Sequence, residues 1–196
     1  MVSVLQQLTR PSRLWSRAEV LIRPSPAPAE PGIYAWYFRE LPGCVDAADC
    51  VRNGDSTLLY IGISPAAPPK NGKAPSRRTL RSRIRSHFKA DASRSTLRMT
   101  LGCLLARQLG IELRVGRGDR INFVAGERAI DAWMDRCALV CWAECAEPWK
   151  VEEEAISSIS LPLNLDQNSH HRFYAKLSRI RSEARQRAKH LTQLMD

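Results

Sequence analysis

The chain has 196 residues, with 30 Lys and Arg against 20 Asp and Glu, a formal net charge of +10 and a pI near 9.8. That length fits one domain with room for appended elements, and 44% hydrophobic residues supply a core, which excludes wholesale disorder. No apolar run approaches the ~20 residues of a membrane-spanning helix and the first ten residues lack a signal-peptide core, so the expectation is a soluble, cytoplasmic protein.

In chain order, a short helical piece is expected over residues 13–20 with Ser12 as cap, then a proline-rich connector over residues 23–31. Gly32–Phe38 (GIYAWYF) is aromatic and β-branched, a strand by propensity. Residues 41–56 carry Pro, Gly, Asp and Asn turn signals and read as a hairpin-type connection to a second buried strand, residues 57–63 (TLLYIGI). A Pro/Gly/Lys loop over residues 65–75 precedes helical spacing over residues 77–89, marked by Leu80, Ile84, His87 and Phe88. Ser95 is placed to cap a helix with Leu97, Leu101, Leu104, Leu105 and Leu109 inward, and Gly110 stops it. A small hairpin is expected from residues 111–115 and 121–124. A helix over residues 127–136 and a third main strand over residues 139–143 follow. Pro148 suits the first turn of a helix running to residue 160. A final amphipathic helix, residues 171–194, puts Phe173, Leu177, Ile180, Ala184 and Leu191 on one face. The expected fold class is α+β: a small, mainly antiparallel three-stranded sheet flanked by helices, with an extra small hairpin and a basic C-terminal helix.

The charge is concentrated. Residues 70–89 hold Lys70, Lys73, Arg77, Arg78, Arg81, Arg83, Arg85 and Lys89 with no acid, and residues 170–196 carry +5, whereas residues 112–154 carry −4. Two Arg-rich segments on a folded chain point to a polyanion, because clustered guanidinium groups release counterions from a phosphate backbone. Neither segment has the bulky aromatic face of a helix lying on a membrane. The six cysteines show no paired C-x-x-C spacing and are expected as packed, reduced thiols rather than a metal site.

The two strands hold Gly32-Ile33-Tyr34 and Tyr60-Ile61-Gly62, which on adjacent antiparallel strands bring Tyr34 and Tyr60 together, with glycines permitting close backbone approach. Arg83 and His87 are four apart and share one helix face. Glu152 begins a helical stretch that ends in Leu161-Pro162-Leu163-Asn164. This ordered set, over roughly residues 31–165, resembles the GIY-YIG nuclease superfamily. The resemblance implies a GIY-YIG-type sheet. By position it implies Tyr34, Tyr60, Arg83, His87, Glu152 and Asn164 as the catalytic set, with Arg83 on the scissile phosphate and Glu152 holding one Mg²⁺ or Mn²⁺. Gly32 and Gly62 shape the motif strands. The gap from Tyr60 to Arg83 is longer than the family's, leaving Arg81 and Arg85 as rivals for the arginine. Glu153 and Glu154 flank the glutamate.

The expected activity is divalent-metal-dependent endonucleolytic hydrolysis of DNA phosphodiester bonds, RNA not being excluded. A hard cation takes oxygen ligands and keeps several waters, so one carboxylate suffices as its anchor. A phenol close to an arginine and a bound metal has its pKa lowered, which makes Tyr34 the candidate base. The other reading is a catalytically silent nucleic-acid-binding or assembly module on the same fold. The domain organisation expected is an N-terminal helix and Pro-rich lead-in (1–30), a nuclease-like domain (31–168) and a packed basic helix (169–196). In that arrangement Lys70, Lys73, Arg77, Arg78, Arg81, Arg85 and Lys89, with Arg181, Arg185 and Lys189 on the exposed ridge of the last helix, contact the DNA backbone.

Overall fold

A computed structural model describes residues 2–69, 71, 74 and 76–191. Lys70 and Lys73, and the expected end of the last helix at Leu194, lie outside the described residues. The chain opens with α1 (Val4–Thr9), closed by a Ser3/Gln6 capping box. It continues through β1 (Trp15–Ser16) and α2 (Arg17–Leu21). The expected helix over residues 13–20 is thus shorter: Trp15 and Ser16 pair with β7 (Ala138–Glu144), and Ser16, not Ser12, is the cap.

After the proline connector come β2 (Gly32–Phe38), β3 (Arg52–Asn53) and β4 (Ser56–Ser64). The sheet order is β1-β7-β2-β4-β3, antiparallel throughout. Five strands replace the expected three, because two-residue strands extend both edges of the long trio β2, β4 and β7. β2 is central and buried along its whole length, since both of its faces are covered. On one face Tyr34, Trp36 and Phe38 join a core with Ile84, Phe88, Leu101, Trp133 and Leu177. On the other, Ile33, Ala35 and Tyr37 meet Leu8, Ala155, Ile156 and Leu161. Alternation along an extended strand serves two layers at once.

α3 (Leu80–Lys89) starts at Thr79, whose hydroxyl accepts from the Ser82 amide, three residues later than the spacing predicts. α4 (Thr96–Leu109) is capped by Ser95 and ends at Gly110, whose φ of +62° favours glycine. A two-stranded ribbon, β5 (Arg114–Val115) with β6 (Ile121–Asn122), leads into α5 (Glu127–Cys137). α6 (Pro148–Ser158) has its proline in the first turn. α7 (Tyr174–His190) packs on α4. Its buried stripe is Leu177, Arg181, Ala184 and Ala188, so a basic residue expected on the exposed ridge sits in the seam. All six cysteines are free thiols. Among the described residues no group of three or more His, Cys, Asp or Glu is placed to hold a metal, and no helix is long and apolar enough to cross a membrane.

Candidate active site

The site forms where β2 begins and β4 ends. Antiparallel register sets Tyr34 opposite Gly62 and Trp36 opposite Tyr60. A Cβ on Gly62 would overlap the Tyr34 phenol, so only glycine leaves the ring its place beside the strand. Gly32 is constrained likewise, because its missing side chain admits the Ala143 carbonyl and the Leu80 methyl. Both tyrosines point to the face that α3 covers. The Tyr34 hydroxyl lies 2.8 Å from Nε2 of His87, and Nδ1 of His87 lies 2.7 Å from Oγ of Ser95. Ser95 Oγ also accepts from the Arg98 amide as the α4 cap, so one hydroxyl both starts a helix and fixes the imidazole. His87 is fully buried, with the rings of Tyr34, Trp36 and Tyr60 around it.

Burial sets the proton chemistry. Desolvation drives the His87 pKa well below its ordinary value, helped by the Arg83 and Arg98 charges, so the ring is neutral. A neutral ring has one donor and one acceptor nitrogen, so Tyr34 and Ser95 take opposite hydrogen-bond roles toward it. The Tyr34 phenol, 1% exposed, is pushed up to about 12 by burial, against the downward pull of Arg83. The lowered phenol expected from the neighbouring arginine is therefore reversed: desolvation of the phenolate outweighs the guanidinium. Tyr60 is raised well above its ordinary value for the same first reason, with Tyr34 adding to it.

A cleft of about 530 Å³ opens over these groups, lined among others by Tyr34, Tyr60, Arg83, Trp149, Glu152 and Asp166. Arg83 reaches it from α3, one Nη donating to the Arg94 carbonyl at 3.3 Å. Its rivals face elsewhere: Arg81 Nε donates to the Ala27 carbonyl at 2.7 Å, and Arg85 donates to the Val20 and Leu21 carbonyls. Glu152 enters from α6, while Glu153 and Glu154 are exposed on its outer side. Among the described residues the Glu152 carboxylate has neither a hydrogen bond nor an ion pair. Burial, then the Asp166 charge, raises it to about 7.

Asn164 does not line this cleft. Its Oδ1 accepts from the Ile61 amide and its Nδ2 donates to the Ile61 carbonyl, both at 3.0 Å, clipping the loop to the free edge of β4. Leu163 donates to the Leu59 carbonyl beside it. Of the expected backbone contacts, Arg78 lines the cleft, and Arg77, Lys89, Arg185 and Lys189 are exposed. Arg181 is 9% exposed and donates to Thr100 Oγ1, which corrects its place on an outward ridge.

Four residues at the site escaped the motif reading. Asp166 follows Asn164 by two, and Trp149 precedes Glu152 by one helical turn. The hydroxyl of Ser64 sits in the cleft wall, buried and without a partner. Ser95 is legible as a cap, but nothing in the sequence ties it to His87.

A central antiparallel sheet thus carries the paired tyrosine strands, and an arginine–histidine helix and a glutamate helix close on one cleft. The chain matches the family model described as the GIY-YIG catalytic domain over residues 32–183, and it belongs to that family. No curated protein and no solved structure matches it.

Proposed function

We propose that the protein is a divalent-metal-dependent endonuclease that hydrolyses DNA phosphodiester bonds in the cleft over Tyr34 and Tyr60. The observation that carries this reading is the meeting of an unpaired carboxylate, Glu152, with a guanidinium, Arg83, and a hydrogen-bonded Tyr34–His87–Ser95 chain in one cleft. The donor set fits a hard cation: among the described residues Glu152 has no hydrogen-bond or ion-pair partner, it shares the cleft with the Asp166 carboxylate, and burial and that charge raise it to about 7, which a cation would offset. Glu152 would hold one Mg²⁺ or Mn²⁺, which would supply positive charge for a phosphate and lower the pKa of bound water.

Arg83 binds the scissile phosphate through its planar fork and offsets the charge that develops on the equatorial oxygens. A phenol held near 12 is a poor free base and burial holds His87 neutral, so neither keeps the proton of the attacking water. In the tautomer with Nδ1–H donated to Ser95, the phenol O–H donates to Nε2, which leaves the Tyr34 oxygen to accept from the attacking water and orient it. The proton of that water leaves to the solvent in the cleft. Asn164 contributes by holding the loop that carries Asp166 against β4. Arg78, in the cleft lining, adds charge for the backbone.

Supercoiled plasmid offered to the protein tests the reading. Nicking is expected with Mg²⁺ or Mn²⁺, none with EDTA, and none for Glu152→Ala in either metal. A wild-type protein that binds DNA yet never nicks it would make the fold a silent binding module.

A further inference from the structure

Beside the cleft lies a second cavity of about 640 Å³ between the start of α4 and the middle of α7. Arg83, Arg94, Arg181, Arg185 and Lys189 line it, and no acidic residue does. It adjoins the catalytic cleft through two residues that line both, Arg83 and Thr96.

One of the five basic groups should not be there without an anion. Arg181 is nine-tenths buried, and among the described residues its Nε has no hydrogen-bond partner. Its one side-chain hydrogen bond, to Thr100 Oγ1 at 3.3 Å, is to an uncharged group. Among the described residues it makes no ion pair. Arg98, one turn from the start of α4, shows how this fold treats a buried guanidinium that is structural. It is 1% exposed and pairs at 2.6 Å with both Glu127 and Asp131. Asp166 acts on Arg181 across an adjoining space without pairing with it, so the buried guanidinium lacks a contacting counter-ion and is open to an anion from outside. The start of α4 is suited to the same ligand. Ser95 caps Arg98, which leaves the Thr96 and Leu97 amides without intrahelical partners at the positive end of a 14-residue helix.

We propose that this pocket holds a backbone phosphate flanking the scissile one on the same nucleic-acid strand. The assignment rests on the nuclease reading of the adjoining cleft. Successive phosphates of a strand advance by about 3.4 Å along the duplex axis, so a neighbour of the phosphate on Arg83 falls within reach of a pocket that shares Arg83. Arg185 and Lys189, exposed at the mouth, complete the anion's surroundings. α7 thereby helps to hold the strand in register over the cleft, without reading its sequence.

The test omits divalent metal, so that cleavage is not its readout. Inorganic phosphate should raise the unfolding midpoint of the wild-type protein with rising concentration, as a ligand specific to the folded state does. The rise should shrink in Arg181→Met to what Arg83 in the cleft supports alone, and the midpoint of that variant without phosphate stays level or increases. It should also shrink in the surface double variant Arg185→Gln/Lys189→Gln, which decides the matter if Arg181→Met does not fold. For a duplex DNA probe, the double variant should flatten the slope of log K against log salt by roughly 0.9 for each phosphate that is no longer neutralised. An unchanged phosphate response and an unchanged slope overturn the proposal, even in a protein that nicks plasmid. Phosphate stabilisation without DNA binding makes the pocket a site for free phosphate and overturns its assignment to a strand. A flattened slope in a protein that never nicks refutes the nuclease reading and leaves a phosphate-binding pocket in a DNA-binding module.

Discussion

At the scale of single residues, geometry separates three arginines of one helix that composition cannot. Arg81 holds a carbonyl of the proline connector and Arg85 holds carbonyls at the end of α2, and Arg83 alone of the three lines the cleft. Arg83→Ala should lower single-turnover cleavage by about 10²–10³, the cost of removing one donor to the transition state, with an unchanged circular dichroism spectrum. Activity within threefold of the parent would assign the scissile phosphate to another group. His87 yields a second expectation. Its folded pKa lies below its unfolded value, near 6.5, so the native state binds fewer protons than the unfolded chain between those two values. Stability present above pH ~6.5 is therefore lost as pH falls through that window. Unfolding midpoints measured from pH 7.5 downward should decline more steeply for the wild type than for His87→Gln; parallel curves would show that the ring titrates freely. What is legible at this scale follows one rule. Tyr34, Tyr60, Arg83, His87 and Glu152 belong to local spacings that a strand or helix turns directly into shared faces. Asp166, Trp149 and Ser64 arrive by tertiary convergence, which leaves no period in the chain. Arg181 is not separable in the sequence from its basic neighbours, because the basic residues of one helix look alike until the seam is known.

At the scale of elements, the long strands are legible because β2, β4 and β7 are unbroken apolar and aromatic runs. The edge strands Trp15–Ser16 and Arg52–Asn53 are not, since two residues cannot show alternation. The least legible link is the one that couples the helix layers. α3 brings Arg83 and His87 to one face of the sheet, whereas the α6 residues Ala155 and Ile156 pack against the other, so Glu152 must be registered across the sheet's end. Asn164 does this by completing both hydrogen bonds of the Ile61 backbone on the open edge of β4. Asn164→Ala would leave a buried N–H and a buried C=O unpaired, at about 1–3 kcal/mol for each unsatisfied group. Chemical denaturation should show a loss of that order. Because the clip also carries Asp166, the concentration of Mg²⁺ needed for half-maximal cleavage should rise in the same variant. An equal loss of stability with an unaltered metal requirement would restrict Asn164 to the sheet edge.

At the scale of the whole molecule, an ion network outside the cleft braces the turn that carries Ser95. Arg98 lies at the hub of α3, α4 and α5: it donates to the Phe88 carbonyl and pairs with Glu127 and Asp131. Glu127 in turn accepts from the amides of Ala92 and Phe123, closing the turn between α3 and α4 and the approach to α5. That turn ends at Ser95, the residue that orients His87 toward Tyr34. Glu127→Ala leaves Arg98 with Asp131 as its remaining carboxylate but takes the acceptor from the Ala92 and Phe123 amides. It should therefore destabilise the protein by about 1–3 kcal/mol in urea unfolding. Glu127→Gln, which keeps an oxygen acceptor, should lose less. Where the Gln variant is still folded, its loosened turn should lower cleavage through the Tyr34–His87–Ser95 chain while leaving metal-free DNA affinity near the parent value, because Glu127 lines neither the basic cavity nor the cleft. A Glu127→Gln protein with parental cleavage would show that the network supports the fold and does not reach the site.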